Sequence, residues 1–224
     1  MFTLVVICGP SGIGKSYLKS RILKQDNFEN IIQTTTRLER SGEKNAVDYF
    51  FVEKSYFEDN KNLFVGISEF DSCYYGFNEH YLYNKLLKND GICVCSLWNI
   101  IGLNDKNINV LPIFLYPSQP SLVRKRLTNR GETKEKIELR VKAMDDELKL
   151  FEKHRHLLNR FDVIDDNIEN IIDFINSNIG LVYMALNYTD LSPFLNRSGV
   201  LLYPKIPNYR YTRVAVIALI VFQK

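Results

Sequence analysis

The octapeptide Gly9-Pro10-Ser11-Gly12-Ile13-Gly14-Lys15-Ser16 constrains this chain more than any other stretch. It follows an apolar, β-branched run, Phe2 to Cys8, and precedes a segment of helical character, Tyr17 to Lys24. Strand, glycine-rich turn and helix in that order form the setting that a phosphate-binding P-loop requires. The glycines let the backbone curl until successive N–H groups point at one anion, and the N-terminal end of the helix dipole adds partial positive charge. In such a loop Lys15 reaches the β- and γ-phosphates and the Ser16 hydroxyl sits on Mg2+. Gly9, Ser11, Gly12, Gly14, Lys15 and Ser16 are therefore the candidate nucleotide-binding residues, with ATP as the expected ligand and Ser16 as the candidate metal ligand. A glycine-rich turn with a chance lysine is the competing account, and the full spacing in its strand-and-helix context weighs against it.

Composition bounds the rest. At 224 residues the chain suits one domain, or one domain with an appendage. Its apolar fraction of 46% supplies a sizeable core, and a charged fraction of 25% is ordinary for a soluble protein. A formal charge of +3 is too small to argue for a nucleic-acid partner. The cysteines Cys8, Cys73, Cys93 and Cys95 lack metal-ligand spacing and read as buried thiols, which suits a reducing compartment. The first strand begins at the N-terminus, leaving no room for a signal peptide, and the apolar run Val214 to Phe222 falls far short of the roughly 20 residues that span a bilayer. The expectation is a soluble, cytoplasmic protein without a membrane partner, of open oligomeric state.

Further along, Ile31 to Thr35, Tyr49 to Val52, Leu63 to Phe70, Ile92 to Leu97, Val110 to Leu115 and Asp162 to Asp165 read as strands. Ser55 to Asn60, Glu79 to Lys88, Ser118 to Asn129, Lys134 to Leu158 and Ile168 to Asn178 read as helices, Pro120 being tolerated in a first turn. Strands without alternating polarity, separated by helices, predict a three-layer α/β fold with a parallel sheet covered on both faces. The polar stretch from about 34 to 76 reads as an inserted subdomain. Residues 179–224, rich in tyrosine, proline and asparagine before the apolar tail, read as a C-terminal extension of open role.

The segment Thr34-Thr35-Thr36-Arg37-Leu38-Glu39-Arg40-Ser41-Gly42-Glu43, then Asp48-Tyr49-Phe50-Phe51-Val52, then Tyr74-Tyr75-Gly76, resembles guanylate kinases in order and approximate spacing. With the P-loop, the resemblance runs from the N-terminus to about residue 178. It implies a P-loop kinase fold with an acceptor-binding subdomain (about 34–76) and a helical lid (about 126–142). It further implies ATP as phosphoryl donor with Mg2+, and a small nucleotide as acceptor. Two arginines three apart can grip a monophosphate from two sides through charge-assisted hydrogen bonds, and tyrosine hydroxyls complete its oxygen shell without adding charge. By the resemblance, Arg37, Arg40, Tyr49 and Tyr75 hold the acceptor's phosphate. The lid pattern maps onto Arg126-Leu127-Thr128-Asn129-Arg130-Gly131, with Arg140 on the next helix. Arg126, Arg130 and Arg140, with Lys15 and Arg37, are the catalytic candidates, because the transferred phosphoryl group passes through a transition state with charge spread on its equatorial oxygens. Arg124 and Lys125 read instead as a solvated helix face, and His80, His154 and His156 as exposed structural residues.

The departures from the family pattern fall on its base-reading positions. A serine is replaced by Gln33, a glutamate by Gly66 and the small hydroxyl residue after Tyr-Tyr-Gly by Phe77, and the family's strand-end aspartate is missing, its position falling at or beside Trp98. The nearby Glu69 points to the opposite strand face. Phe77 and Trp98 could stack on a base or simply fill the pocket, and Asp71 or Glu43 could substitute for the lost acid near the metal. The resemblance thus implies phosphoryl transfer to GMP or dGMP by default. A ribose 1,5-bisphosphate or other non-guanine acceptor, and a non-catalytic guanylate-kinase-like binding module, are the alternatives.

Overall fold

The computed structural model describes residues 2–103, 106, 108–163 and 167–187, with side chains as far as residue 179. The chain divides into two compact units, residues 1–172 and 173–224. The first is built around β1 (Thr3–Cys8), whose six residues are all buried. Parallel neighbours flank β1 on both sides. β7 (Asp90–Val94) pairs from Leu4↔Gly91 to Ile7↔Val94, and β8 (Asn109–Tyr116) pairs from Thr3↔Asn109 to Cys8↔Phe114. With β2 (Phe28–Asn30) outside β7 and β9 (Asn159–Asp162) outside β8, the order is β2-β7-β1-β8-β9, parallel throughout. Such a sheet has to be covered on both faces, which is why β1 reads as an unbroken apolar run.

Helices supply that cover: α1 (Lys15–Ile22), α3 (Glu79–Leu86), α5 (Pro120–Asn129) and α6 (Lys134–His154). Asn78 caps α3 by accepting from the Tyr81 N–H at 2.9 Å, and Thr133 caps α6 by accepting from that of Lys136 at 3.4 Å. On α6, Phe151 stacks on Phe114 of β8 with ring centroids 4.3 Å apart. α7 (Ile168–Asn187) runs past residue 178, where the sequence pattern placed the end of the closing helix.

The second sheet has the order β4 (Phe50–Phe51), β3 (Thr34–Thr35), β6 (Cys73–Asn78), β5 (Phe64–Phe70). β3 and β4 are parallel, and the other pairings are antiparallel. Phe57, on the short helix α2 (Lys54–Asp59), stacks between Phe64 at 4.3 Å and Tyr74 at 5.3 Å. Asp71 and Ser72, with φ of 51° and 57°, close the β5–β6 hairpin.

Several boundaries differ from the sequence expectation. Of the single strand expected over Ile31–Thr35 only Thr34–Thr35 is strand, and Phe28–Asn30 just before it belongs to the first sheet. Asn30 still pairs with Ile92 of β7, whereas Thr34 pairs with Gly76 and Phe50 in the second sheet. A continuous buried run cannot reveal which partner each half takes. The strand expected to Leu97 ends at Val94, and residues 97–103 form a helix, α4 (Leu97–Leu103). An apolar segment that short has no period that separates strand from buried helix. The last strand is Asn159–Asp162 rather than Asp162–Asp165, and residues 164–166 lie outside the described part. The expected extension, 179–224, lies outside it too beyond the backbone of α7. No described helix is long and apolar enough to cross a membrane.

One buried acid is expected to make the stability of the sheet depend on pH. Asp90 is 1% exposed, its Oδ1 accepts from the Thr3 N–H at 2.7 Å, and its Oδ2 has no hydrogen-bond partner. Burial raises its pKa, the Thr3 bond opposing. A carboxyl that binds its proton more tightly folded than unfolded loses stabilising effect as pH rises from its ordinary value, about 4, through its raised one. Asp90→Asn is therefore expected to gain stability relative to the parent at pH 7 compared with pH 4. Urea unfolding at both pH values measures this, and an unchanged difference would contradict it.

Candidate active site

The phosphate loop leaves β1 at Gly9 and enters α1 at Lys15. Gly9, Gly12 and Gly14 take φ of 131°, 83° and 114°, in the region that L-residues avoid. At Gly9 the constraint is also steric, since a Cβ there would lie 2.5 Å from the Leu115 carbonyl oxygen of β8. Lys15 folds back onto the loop, its Nζ donating to the Gly9 carbonyl and, at 2.9 Å, to that of Pro10. Burial pulls the Lys15 pKa down and Glu147 opposes this, while Arg130 and Arg140 lower it further. Ser16, next on α1, is exposed.

Arginines expected from the lid pattern meet this loop. Arg126 Nη1 donates to the Ile13 carbonyl at 2.8 Å. Arg140, from the first half of α6, donates through Nη1 to Ser11 Oγ and pairs through Nε with Glu132 at 2.6 Å. Arg130 caps the C-terminus of α5, is exposed, and its charge is felt at Lys15. Arg124, by contrast, pairs with Glu138 at the surface.

On the second sheet, Arg37, Tyr49 and Tyr75 come together. The Arg37 guanidinium lies 5.3 Å from the Tyr49 ring centre, whose ring is 6.3 Å from that of Tyr75. Arg37 also makes a bidentate pair with Glu43, both bonds 2.9 Å, and donates to the Leu38 carbonyl at 2.7 Å. Arg40 is exposed. Its N–H donates to Glu43 at 2.9 Å, and its charge is felt by Tyr49. Hydrogen bonds from Arg37 hold the Glu43 carboxyl below its ordinary range against the cost of burial. Glu43 is thereby committed to organising the arginine loop, and Asp71 stands at the exposed hairpin tip.

The altered base positions are resolved in detail. Gln33 is 4% exposed and its Nε2 has no hydrogen-bond partner. Gly66 has φ of 56° beside an irregularity in the β5–β6 register. A Cβ there would lie 2.8 Å from Leu103 Cγ and 2.9 Å from the Asn99 carbonyl oxygen, so α4 occupies the space of a side chain. Phe77 is fully buried in the core and Trp98 is half exposed, its ring 6.4 Å from that of His154. Pocket filling therefore describes Phe77, whereas Trp98 neither fills the core nor stacks inward. Its neighbour Asn99 turns inward instead. Asn99 Nδ2 donates to the Gly66 carbonyl at 2.6 Å and to that of Tyr75 at 3.4 Å. Its Oδ1 accepts from the Ser96 N–H at 2.9 Å and from Ser96 Oγ at 2.7 Å.

Glu147 was missing from the sequence candidates. It sits within the charged surface pattern of α6, where an acid reads as solvated. Its one sequence signal is a position seven residues after Arg140, two turns on along the same helix face. Burial raises its carboxyl pKa, and the Lys15 charge opposes this.

The sequence model of the guanylate kinase family matches residues 1–178. The guanylate kinase of Bacillus subtilis is 34% identical over 184 residues, covering 78% of this chain and 86% of that protein. That of Rickettsia felis is 30% identical over 181 residues, covering 77% and 92%. Among solved structures, a guanylate kinase from Anaplasma phagocytophilum superposes with a TM-score of 0.61 at 20% identity, over 82% of this chain and 87% of that one, which shows a shared fold. The match across the loop, the second sheet and the arginine-bearing helices places this chain in the guanylate kinase family, as a P-loop phosphotransferase.

Proposed function

We propose that this chain transfers the γ-phosphoryl group of ATP to GMP or dGMP, through a base pocket altered from the family pattern. The observation that carries the reading is the meeting of Lys15, Arg126 and Arg140 on one phosphate loop. The loop fits a triphosphate. Its glycines leave room where side chains would crowd an anion, and α1 begins at Lys15 with the unpaired N–H groups of a helix start. Lys15 would exchange the carbonyls of Gly9 and Pro10 for phosphate oxygens, so its charge is satisfied before and after binding. Ser16 would hold Mg2+, which neutralises charge building on the β- and γ-oxygens. Arg126, Arg130 and Arg140 would stabilise the charge on the transferred group.

Arg37, Arg40, Tyr49 and Tyr75 would hold the acceptor's phosphate. Glu43 and the Leu38 carbonyl hold the Arg37 guanidinium through three hydrogen bonds, and its five N–H donors leave capacity for a phosphate oxygen. The unpartnered Gln33 amide would donate to a carbonyl oxygen on the base, such as guanine O6. The lost glutamate at Gly66 removes an acceptor for the base's N–H groups.

The test is ADP formation with ATP and Mg2+ against GMP, dGMP, AMP, UMP, CMP, TMP and ribose 1,5-bisphosphate. GMP or dGMP is expected to be phosphorylated, with a preference over other bases nearer 10² than the 10⁴–10⁵ of a site with intact polar readers. A preference of 10⁴ would contradict the altered pocket, and turnover of ribose 1,5-bisphosphate alone would contradict the nucleotide acceptor. Arg40→Ala is expected to raise the acceptor KM about tenfold, the worth of one charge-assisted hydrogen bond, with the ATP KM within about twofold. Equal loss of both would contradict its placement.

A further inference from the structure

We propose that Asn99 is a positioning residue for the acceptor, its buried amide tying the end of β7 to the second sheet and so fixing where Tyr75 presents its hydroxyl. This rests on the reading above in which Tyr75 holds the acceptor's phosphate. Asn99 is 1% exposed, and its amide has both oxygen lone pairs and both N–H groups engaged. The Ser96 N–H can only donate, so the atom it meets at 2.9 Å is the amide oxygen, which also accepts from Ser96 Oγ at 2.7 Å. Nδ2 is thereby turned to the carbonyls of Gly66, at 2.6 Å, and of Tyr75, at 3.4 Å.

Ser96-Leu97-Trp98-Asn99 opens α4 as a capping box: Ser96 Oγ accepts from the Asn99 N–H at 3.4 Å while the Asn99 side chain accepts from the Ser96 N–H. A glutamate in the last position would close such a box with oxygens alone. The asparagine amide brings two donors besides, and these leave α4 for the second sheet. So short a side chain spans the gap because glycines face each other there, Gly102 of α4 lying so near that a Cβ on it would be 3.1 Å from Gly66 Cα. Gly66 stands where the β5–β6 register shifts, between Val65 and Ser68. On the other side, the Cys95 N–H donates at 3.2 Å to the carbonyl of Ile7, two residues before Gly9. One chain of bonds thus runs from the strand that carries the phosphate loop, through Ser96 and Asn99, to the backbone of Tyr75. With Thr35 and Ser68 paired on either side of it, that backbone holds the Tyr75 ring 6.3 Å from that of Tyr49. Without the amide, β6 loses its tie to β7 at Tyr75, and a hydroxyl displaced by about 1 Å no longer makes a hydrogen bond.

A double-mutant cycle separates positioning from bulk stability. Asn99→Leu keeps similar volume and removes the amide, and Tyr75→Phe removes the hydroxyl that the amide is held to position. GMP KM is measured by initial rates for the parent, both single variants and the double variant, and ATP binding with Mg2+ by calorimetric titration. Each single change is expected to raise the GMP KM about tenfold, with ATP binding within about twofold of the parent. In the Tyr75→Phe background, Asn99→Leu is expected to add no more than about twofold, because its target is gone. Multiplication of the two single effects to about a hundredfold, or a loss of ATP binding as large as the rise in GMP KM, would overturn the proposal. Should Asn99→Leu fail to fold, Asn99→Ser takes its place with the same outcomes, its hydroxyl near enough for Ser96 but short of Gly66 and Tyr75. Tyr75→Phe with an unchanged GMP KM would instead contradict the placement of Tyr75 on the acceptor's phosphate, and the proposal would fall with it.

Discussion

Lys15→Met is expected to lower phosphoryl transfer by about 10²–10³-fold or more, the scale of removing one preorganised charge from a transition state. The side chain is half-buried, and its charge is matched by Glu147 and by the carbonyls of Gly9 and Pro10. In that poorly solvated setting a positive charge acts on a developing phosphoryl charge more strongly than it would in water. Methionine keeps the volume and removes the charge, so folding and chemistry separate. Lys15→Arg is expected to recover little, because a planar guanidinium cannot replace a compact ammonium between two loop carbonyls. Single-turnover ADP formation, with thermal melting to verify folding, measures this. Retention of more than about a tenth of the parent rate by Lys15→Met would remove the lysine from the chemistry.

Gly66→Glu, which restores the family residue, is expected to destabilise the protein rather than sharpen its choice of base. The new Cβ would meet Leu103 at 2.8 Å and the Asn99 carbonyl at 2.9 Å, and a φ of 56° adds backbone strain. Overpacking and left-handed strain together amount to about 2–5 kcal/mol. For a chain of this size that lowers the melting temperature by roughly 5–15 °C. Gly66→Ala shares the Cβ contact and is expected to show part of the loss. Melting curves together with the GMP-to-AMP rate ratio decide the matter. A variant that melts with the parent and strengthens GMP preference would show that position 66 reads the base and that α4 yields to it.

Both expectations rest on residues that differ in how visible they were beforehand. Lys15 is legible as a candidate because its proposed role follows from neighbours within one octapeptide, and a glycine-rich turn between strand and helix has few other physical uses. The lid arginines were visible as candidates through spacing along a continuous stretch, and the structure gathers Arg126 and Arg140 onto the loop. Gly66 was visible only as a departure. Why nothing larger fits there depends on α4, an element that the short apolar run did not reveal. Asn99 was hidden for the same reason, since a residue just past the expected end of a strand gives no hint that it will bond Ser96 and Gly66.

Local chemistry, carried by residues close in the chain, made legible the parallel α/β architecture, the glycine-rich turn after the first strand and the candidate arginines. These depend on periodicity and on backbone freedom at particular glycines, and both are properties of short segments. Tertiary structure alone decided which sheet each part of residues 28–35 joins, how α4 closes the space beside Gly66, and that the Glu147 charge is felt at Lys15. Each of these is a contact between groups distant in the chain. A strand's pattern is the same whichever edge it pairs with, and an acid on a charged helix looks the same whether it meets water or a loop. Packing distinguishes them, because only the assembled fold sets which polar groups are removed from water and what they must then bind.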